Sequence, residues 1–457
     1  MNTLRSLNFL SIVVFTVLLF LLGLIALDEF LAPVVLFLLM LTLGSLLIVV
    51  FSNKDEVLLK VKLFIFFFSL YLLYALLQHY ILLNISATSK PFIYVDENTF
   101  FNYSYIAVPY VFGDKHISEI FMNYQLGLYS APLHVVMTSL GAYLSILIDG
   151  MNAILVQKLL SPFLGGMFMV VLYATLQHQF LDRTFALKAT LLYGIFSAVF
   201  IYTTVMIRDI DIALAYMIAI YLFLQPNSYK NFFLLLLVSY ATMYLRIESG
   251  FVLFGVTLLY AYLHNRTLES KSLKYIFYIL ILGLFTFIIL LMYSKIYGMI
   301  TEVSEQRLLA AAASASDSSM GILLNKLPFG ISQLAKVLFS QIQVFPFMKA
   351  IVTDPRAAIS GVFWPFIFIM MLYGIVKKDI RVLLDEKVKY LLILAITILF
   401  LMSGEPLVRR LMSVYPIIYI VSLYTFLILS KYEIKRTFFY YLFGIIALNV
   451  FYYLLKI

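Results

Sequence analysis

Four groups of charged side chains interrupt an otherwise apolar chain, and they are the residues best able to do chemistry. Each group lies beside or shortly after a predicted membrane span, and an ionisable side chain at membrane depth is expensive unless it has a partner or a function. The groups are Asp96-Glu97, Arg208-Asp209 with Asp211, Arg246 with Glu248, and Glu405 with Arg409-Arg410. If the intervening runs bring them to one side of a membrane, they form a single polar site.

The arginines predict that this site binds an anion. A guanidinium group donates two parallel hydrogen bonds to an oxyanion, so several of them together suit a lipid-linked phosphate or diphosphate. For each arginine alone, the alternative is a structural ion pair or a side chain that reaches up to the membrane interface. The predicted phosphate contacts are Arg208, Arg246, Arg409 and Arg410.

The carboxylates have more than one possible role. An ionised carboxylate beside a bound phosphate can act as a general base and take the proton of an attacking hydroxyl, and Asp96, with its neighbour Glu97, is the candidate. Asp209, Asp211 and Glu248 are predicted to contact the substrate or to bind a divalent cation, Mg²⁺ or Mn²⁺, through oxygen ligands. Spacing along the chain does not choose between these roles.

The composition requires membrane helices to position these residues. The chain has 457 residues, 64% of them hydrophobic and 12% charged, and its mean hydropathy is +1.02. A soluble domain is about half apolar and about a quarter charged, so this chain lacks the polar surface that a water-soluble fold needs. The same numbers exclude a disordered chain, a coiled coil and a nucleic-acid-binding domain. The chain has no cysteine, which excludes disulfides and thiolate metal sites.

The predicted fold class is an all-α polytopic membrane protein. About thirteen apolar runs approach the roughly 20 residues that span a bilayer. The predicted spans are 6–27, 30–51, 63–83, 154–176, 184–206, 210–224, 232–245, 249–263, 275–297, 358–376, 388–402, 411–429 and 438–455.

Lysine and arginine in short loops predict the orientation, because such loops stay in the cytoplasm. The loops are 53–62, 264–274, 377–389 and 431–436. They agree with one another only if residues 125–148 form a juxtamembrane or re-entrant helix on the outer side. If that segment crosses instead, Arg208 and Asp209 lie inside.

We predict that the chain is one integral membrane domain over residues 1–457, with residues 125–148 on the outer side of the membrane. An outer catalytic loop at 84–153 holds the juxtamembrane helices, and a second large outer loop spans 298–357. The four charged groups then share the outer side. Plentiful Phe, Ile, Tyr and Lys beside a single Trp is typical of an AT-rich bacterial gene, which predicts the bacterial inner membrane as the location.

The order of the charged motifs resembles that of the GT-C fold glycosyltransferases, which include the protein O-mannosyltransferases and the bacterial aminoarabinose lipid A transferases. Four features depart from the family pattern. Lys158 stands beside the place where an arginine is usual, and two additional predicted spans precede the acidic loop. No large C-terminal soluble domain is predicted, and the double acidic signature is only partly matched. The segments that carry the resemblance are 96–100 (DENTF), 129–133 (YSAPL), 157–161 (QKLLS) with Tyr173, 207–213 (IRDIDIA), 244–250 (YLRIESG) and 409–416 (RRLMSVYP).

This resemblance implies an inverting transferase that moves a sugar from a polyprenyl-phosphate donor to a hydroxyl of a glycan, lipid or protein acceptor outside the membrane. It implies the roles given above for the arginines and carboxylates, with Asp96 as the base. Two alternatives remain open. One is an O-antigen or capsular polysaccharide polymerase or ligase, and the other is a transporter or flippase for lipid-linked sugars.

Overall fold

The computed structural model describes residues 2–28, 30–85, 92–122, 131–266, 328–341, 355–377, 383–401 and 408–454, with 279, 283 and 286 as single helical positions. In these ranges the regular structure is all helical, without strands, as the sequence predicts. The helices up to residue 266 are α1 Asn2–Leu27, α2 Ala32–Phe51, α3 Lys54–Ile85, α4 Val95–Val111, α5 Ser118–Met122, α6 Pro132–Asp149, α7 Ile154–Lys158, α8 Leu160–Phe180, α9 Arg183–Phe196, α10 Val199–Tyr202, α11 Asp209–Leu224, α12 Tyr229–Met243 and α13 Ile247–Arg266. The later helices are α14 Phe329–Ser340, α15 Pro355–Val376, α16 Glu386–Leu401, α17 Val408–Leu411, α18 Tyr415–Ile428 and α19 Lys431–Leu454.

The described residues contain seven helical segments that are long and apolar enough to cross a bilayer, which makes the chain a multi-pass membrane protein. The predicted count of about thirteen is not confirmed. Among the predicted spans that the structure describes, α11 and α12 have only 16 and 15 residues. At about 1.5 Å per residue such helices fall short of the roughly 30 Å hydrocarbon core. The predicted span at 275–297 lies outside the described residues, apart from its three single positions. The seven segments are 7–27, 32–51, 54–81, 132–149, 154–180, 247–266 and 356–376.

Two of the predicted spans are interrupted helices. The run 154–176 is divided at Leu159 between α7 and α8, since Pro162 has no N–H to donate to the carbonyl of Lys158. The run 184–206 is divided between α9 and α10, where Ser197 has an extended backbone. Irregular backbone at membrane depth is tolerated where protein buries it. Both interruptions lie next to segments that carry charged residues.

Phenylalanine rings and glycines let α3, α8 and α9 pack closely. Phe64 and Phe68 stack with their ring centroids 5.5 Å apart. Gly194 lies where a Cβ atom would collide with the ring of Phe67. Small residues permit this close approach in membranes, where van der Waals packing holds helices together. The resulting frame supports α11, whose first turn carries charged residues.

Basic residues gather at one end of the bundle, here named the lysine end. All four of the segments predicted to share the cytoplasmic side take part in its contacts. The contacts are Glu56 with Gln177, Arg266 with Glu386, Lys377 with Glu433, and Lys387 with the carbonyl of Gln225. The opposite end, at the start of α11, is named the arginine end and holds Asp96, Arg208, Asp209, Arg246 and Arg409.

Both ends of helix α6 make contacts with other segments of the chain. Near its start, the N–H of Leu133 donates to the carbonyl of Tyr244 at 3.3 Å. At its other end, the Asp149 carboxylate accepts the N–H groups of Leu31 and Ala32 at 2.9 and 3.1 Å, where α2 begins. Helix α6 is also long and apolar enough to be counted among the seven segments.

Candidate functional site

A polar cavity at the arginine end brings together five of the residues that the sequence predicts to act together. Its volume is about 260 Å³. Three arginines and two aspartates line it, which leaves one net formal positive charge. The residues come from four separate segments of the chain, so only the fold makes them neighbours. The lining consists of Asp96, Thr99, Phe100, Tyr103, Arg208, Asp209, Arg246 and Arg409.

The first turn of α4 presents Asp96 to this cavity. The Asp96 carboxylate accepts a hydrogen bond from the Arg409 guanidinium at 2.6 Å. The side chain of Asp96 is 50% exposed and that of Arg409 is 20% exposed. Asp96 is therefore a carboxylate that solvent or a substrate can reach, held in place by one cation.

Its neighbour Glu97 has a different environment, fully buried and away from the cavity lining. One carboxylate oxygen accepts the N–H groups of Ile93 and Tyr94 at 2.6 and 3.2 Å and so holds the start of α4. The other accepts the N–H of Met206 at 3.0 Å and lies 3.5 Å from the Lys158 ammonium. These contacts anchor α4, and with it Asp96, to the segment that leads into α11. Of the two candidate bases, Asp96 is the one that faces the cavity.

A second ion pair joins α11 to the turn between α12 and α13. The Arg246 guanidinium donates to the Asp209 carboxylate at 3.0 Å, and the two side chains are 13% and 4% exposed. Asp209 and the preceding Arg208 lie at the start of α11, where the helix dipole favours negative charge. An anion in the cavity would meet the guanidinium groups and this helix terminus together.

Arg208 and Arg409 stay charged in this environment. Burial and the neighbouring Arg246 lower the pKa of Arg208 to about 10, although Asp209, Glu248 and Asp96 oppose that shift. Burial also lowers the pKa of Arg409, but Asp209 and Asp96 raise it by more, so the net shift is upward. Both groups are cations at neutral pH, as a phosphate site requires.

Asp211 lies outside the cavity lining, in a buried pair with His134. The His134 Nδ1 atom and an Asp211 carboxylate oxygen are 2.5 Å apart, and both side chains are at most 2% exposed. This pair ties the first turn of α6 to the first turn of α11. Sequence reasoning missed it because the partners are 77 residues apart and nothing in their spacing links them.

The remaining predicted residues have these places. Glu248 lies in the first turn of α13, close enough to Arg208 to affect its pKa. Arg410 lies in α17, but its side chain is outside the description, and Glu405 lies outside the described residues. Within the described ranges, no three His, Asp or Glu side chains are grouped so that they could hold a metal ion. The cation expected at Asp209, Asp211 and Glu248 stays a prediction.

Thr99, Phe100 and Tyr103 are lining residues that sequence reasoning did not assign to the site. Their helical spacing after Asp96 is the signal that could have found them.

Comparisons of the chain with protein-family models, with curated proteins and with solved structures found no match. The resemblance to GT-C glycosyltransferases therefore stays a prediction, and the residues of the site must carry any functional proposal.

Proposed function

We propose that this protein is a membrane glycosyltransferase that moves a sugar from a polyprenyl phosphate to an acceptor hydroxyl, with inversion at the anomeric carbon. The observation that carries the proposal is the cavity in which Arg208, Arg246 and Arg409 lie together with an exposed carboxylate, Asp96. A cation cluster and a general base are the two parts that displacement of a phosphate by a hydroxyl needs.

The three arginines would hold the donor phosphate. Their charge stabilises the phosphate as negative charge grows on it during bond breaking, and the start of α11 adds its dipole. Arg409 has a second task in this scheme, because it also holds Asp96 at 2.6 Å. A phosphate that takes over part of Arg409 would leave the Asp96 carboxylate more basic at the moment when the acceptor arrives.

In the proposed step, the acceptor hydroxyl oxygen forms a bond to the anomeric carbon, and Asp96 takes the hydroxyl proton. The bond between the anomeric carbon and the phosphate oxygen breaks, and its electron pair leaves with the polyprenyl phosphate. Attack from the face opposite the phosphate inverts the anomeric configuration. Positioning and charge stabilisation supply most of the rate, since phosphate is a fair leaving group.

For the topology, we propose that the arginine end faces outward and that α4 and α6 are juxtamembrane helices. Two observations support this arrangement. The segments rich in lysine and arginine gather at the opposite end, as cytoplasmic loops do. The start of α6 contacts Tyr244, two residues before Arg246, and its other end contacts Leu31, just before α2. A bacterial inner membrane is the proposed location.

A transfer assay in liposomes tests the proposal. The purified protein would receive radiolabelled polyprenyl-phosphate sugars and a membrane extract as the acceptor source. We expect transfer by the wild type, none by Asp96→Asn, and wild-type transfer by Arg266→Ala, a control at the lysine end. Movement of labelled lipid across the bilayer without sugar transfer would contradict an enzyme and support a flippase. A ladder of products with many repeat units would instead support a polymerase.

A further inference from the structure

The cavity has two walls of different chemistry. Arg208, Arg246 and Arg409 form the basic wall, together with Asp209. The other wall comes from α4 alone. It consists of Asp96, Thr99, Phe100 and Tyr103. The proposed function uses the basic wall and Asp96, and it assigns no role to the other residues of α4.

Asp96, Thr99 and Tyr103 follow the spacing i, i+3, i+7, which places them on one face of a helix. Thr99 offers a hydroxyl that can both donate and accept a hydrogen bond. Tyr103 offers an aromatic face with a polar tip. An apolar ring face beside a few placed polar groups is typical of a small-ligand site. This combination suits a flat ring that carries hydroxyl groups.

Neighbouring contacts fix the position of this wall. The Ser104 hydroxyl donates to Thr138 of α6 at 2.6 Å, and both side chains are buried. The Phe100 ring packs edge-on against His134, with the ring centroids 4.6 Å apart. With Glu97 anchoring the first turn of α4, the wall is held before any ligand arrives. Such preorganisation is what selective recognition needs.

The size of the cavity limits its ligand. At about 260 Å³ it lies below the roughly 300–1,000 Å³ typical of ligand pockets. Such a volume suits one phosphoryl group and one sugar ring. Because the phosphate would occupy the arginines and the half-exposed Asp96 meets the acceptor, the space along Thr99 and Tyr103 remains for the sugar.

We propose that Thr99 and Tyr103 form the donor's sugar subsite and that it accepts a single monosaccharide. The ring stacks on Tyr103, and one of its hydroxyls bonds to Thr99. This inference rests on the proposed function and goes beyond it, because it assigns the choice of sugar to one face of α4.

The test compares the binding of two kinds of probe to the protein in nanodiscs. One is a bare short-chain polyprenyl phosphate, and the other is the same lipid carrying one sugar from a panel of hexoses, N-acetylhexosamines and pentoses. We expect the wild type to bind at least one sugar-bearing lipid more tightly than the bare lipid. Tyr103→Ala should lower that affinity about tenfold and leave the bare lipid unaffected, while Tyr103→Phe retains most of it. Thr99→Val should give a smaller loss with the same selectivity.

Tyr105→Ala is the matched control, because Tyr105 lies on the same helix but is 53% exposed and outside the cavity lining. It should bind both kinds of probe as the wild type does. Equal losses for both probes in Tyr103→Ala would overturn the subsite, as would a panel in which no sugar improves on the bare lipid. In either case, if the wild type still binds the bare lipid, the proposed phosphate site is retained and only the sugar subsite is rejected. If the wild type binds no bare lipid, the proposed function itself fails.

Discussion

The two ends of the bundle contain ion pairs of the same length in opposite environments. Arg246 and Asp209 lie 3.0 Å apart at the arginine end, with side chains only 13% and 4% exposed. Arg266 and Glu386 are also 3.0 Å apart at the lysine end, but they are 54% and 57% exposed. The distance is the same, and the first pair lines the polar cavity.

The difference shows which charges need a functional explanation. An exposed ion pair contributes about 0–1 kcal/mol to the free energy of unfolding, so it can form on a protein surface without a functional reason. A buried pair must offset the loss of hydration of both ions, which often exceeds the attraction between them. The arginine end holds such charges around a space of ligand size. We therefore assign substrate binding to the arginine end and only membrane orientation to the lysine end.

Asp96→Asn should produce the largest difference in sugar transfer between a variant at the arginine end and one at the lysine end. The amide keeps the shape of the carboxylate but cannot take a proton, so sugar transfer should fall about 100- to 10,000-fold. Glu386→Asn, at the lysine end, should leave transfer within twofold. Liposome assays on variants with wild-type thermal stability provide the measurement, and transfer that persists in Asp96→Asn would remove the assigned base.

Glu97→Gln should lower the free energy of unfolding. It leaves the Lys158 ammonium buried without its counter-ion, and breaking a buried pair costs about 3–5 kcal/mol. Glu386→Gln breaks an exposed pair and should cost about 1 kcal/mol or less. Thermal unfolding in detergent, followed by tyrosine fluorescence, measures the difference. Equal shifts for the two variants would mean that Glu97 does not anchor α4.

The contrast between Asp96 and Glu97 also shows where sequence reasoning stops. The composition and the spacing of charges predict an all-helical membrane protein and the convergence of Asp96, Arg208, Asp209, Arg246 and Arg409. Successive residues of a helix point about 100° apart, so one neighbour faces the cavity while the other faces the core. The sequence does not show which is which, because the deciding partner of Glu97, the N–H of Met206, is 109 residues away.

The span count was harder to predict for a related reason. Hydropathy measures how apolar a run is, but it does not detect where a helix stops. Leu159 and Ser197 interrupt predominantly apolar runs, and both residues are buried. The buried pair of His134 and Asp211 is equally invisible, because each partner alone resembles an ordinary polar residue at a helix start.

Arg246→Ala should reduce the affinity for bare polyprenyl phosphate at least about 30-fold, because losing one partner of a buried charge pair costs about 2–5 kcal/mol. Arg266→Ala, its counterpart at the lysine end, should change the affinity less than twofold. Binding in nanodiscs by microscale thermophoresis measures both. Arg246→Lys keeps the charge and should retain part of the affinity, which separates a binding defect from misfolding.

A smaller effect of opposite sign should follow from Asp96→Asn in the same binding assay. Without its carboxylate, Arg409 becomes fully available to the phosphate, and a half-exposed pair is worth about 0.2–1 kcal/mol. The affinity for bare polyprenyl phosphate should therefore rise about 1.4- to fivefold. If Asp96 instead held a divalent cation that bridges to the phosphate, the same substitution would weaken binding, and EDTA would weaken it in the wild type.

The most direct test of the whole account is to locate the lipid phosphate on the protein. A photoreactive polyprenyl phosphate would be crosslinked to the protein in liposomes and the labelled peptides identified by mass spectrometry, with a photoreactive polyprenol as the uncharged control. The account predicts phosphate-dependent labelling at the arginine end, in the peptides around Asp96, Arg208 and Arg246. Phosphate-dependent labelling concentrated around Arg266 and Lys377 at the lysine end would contradict it.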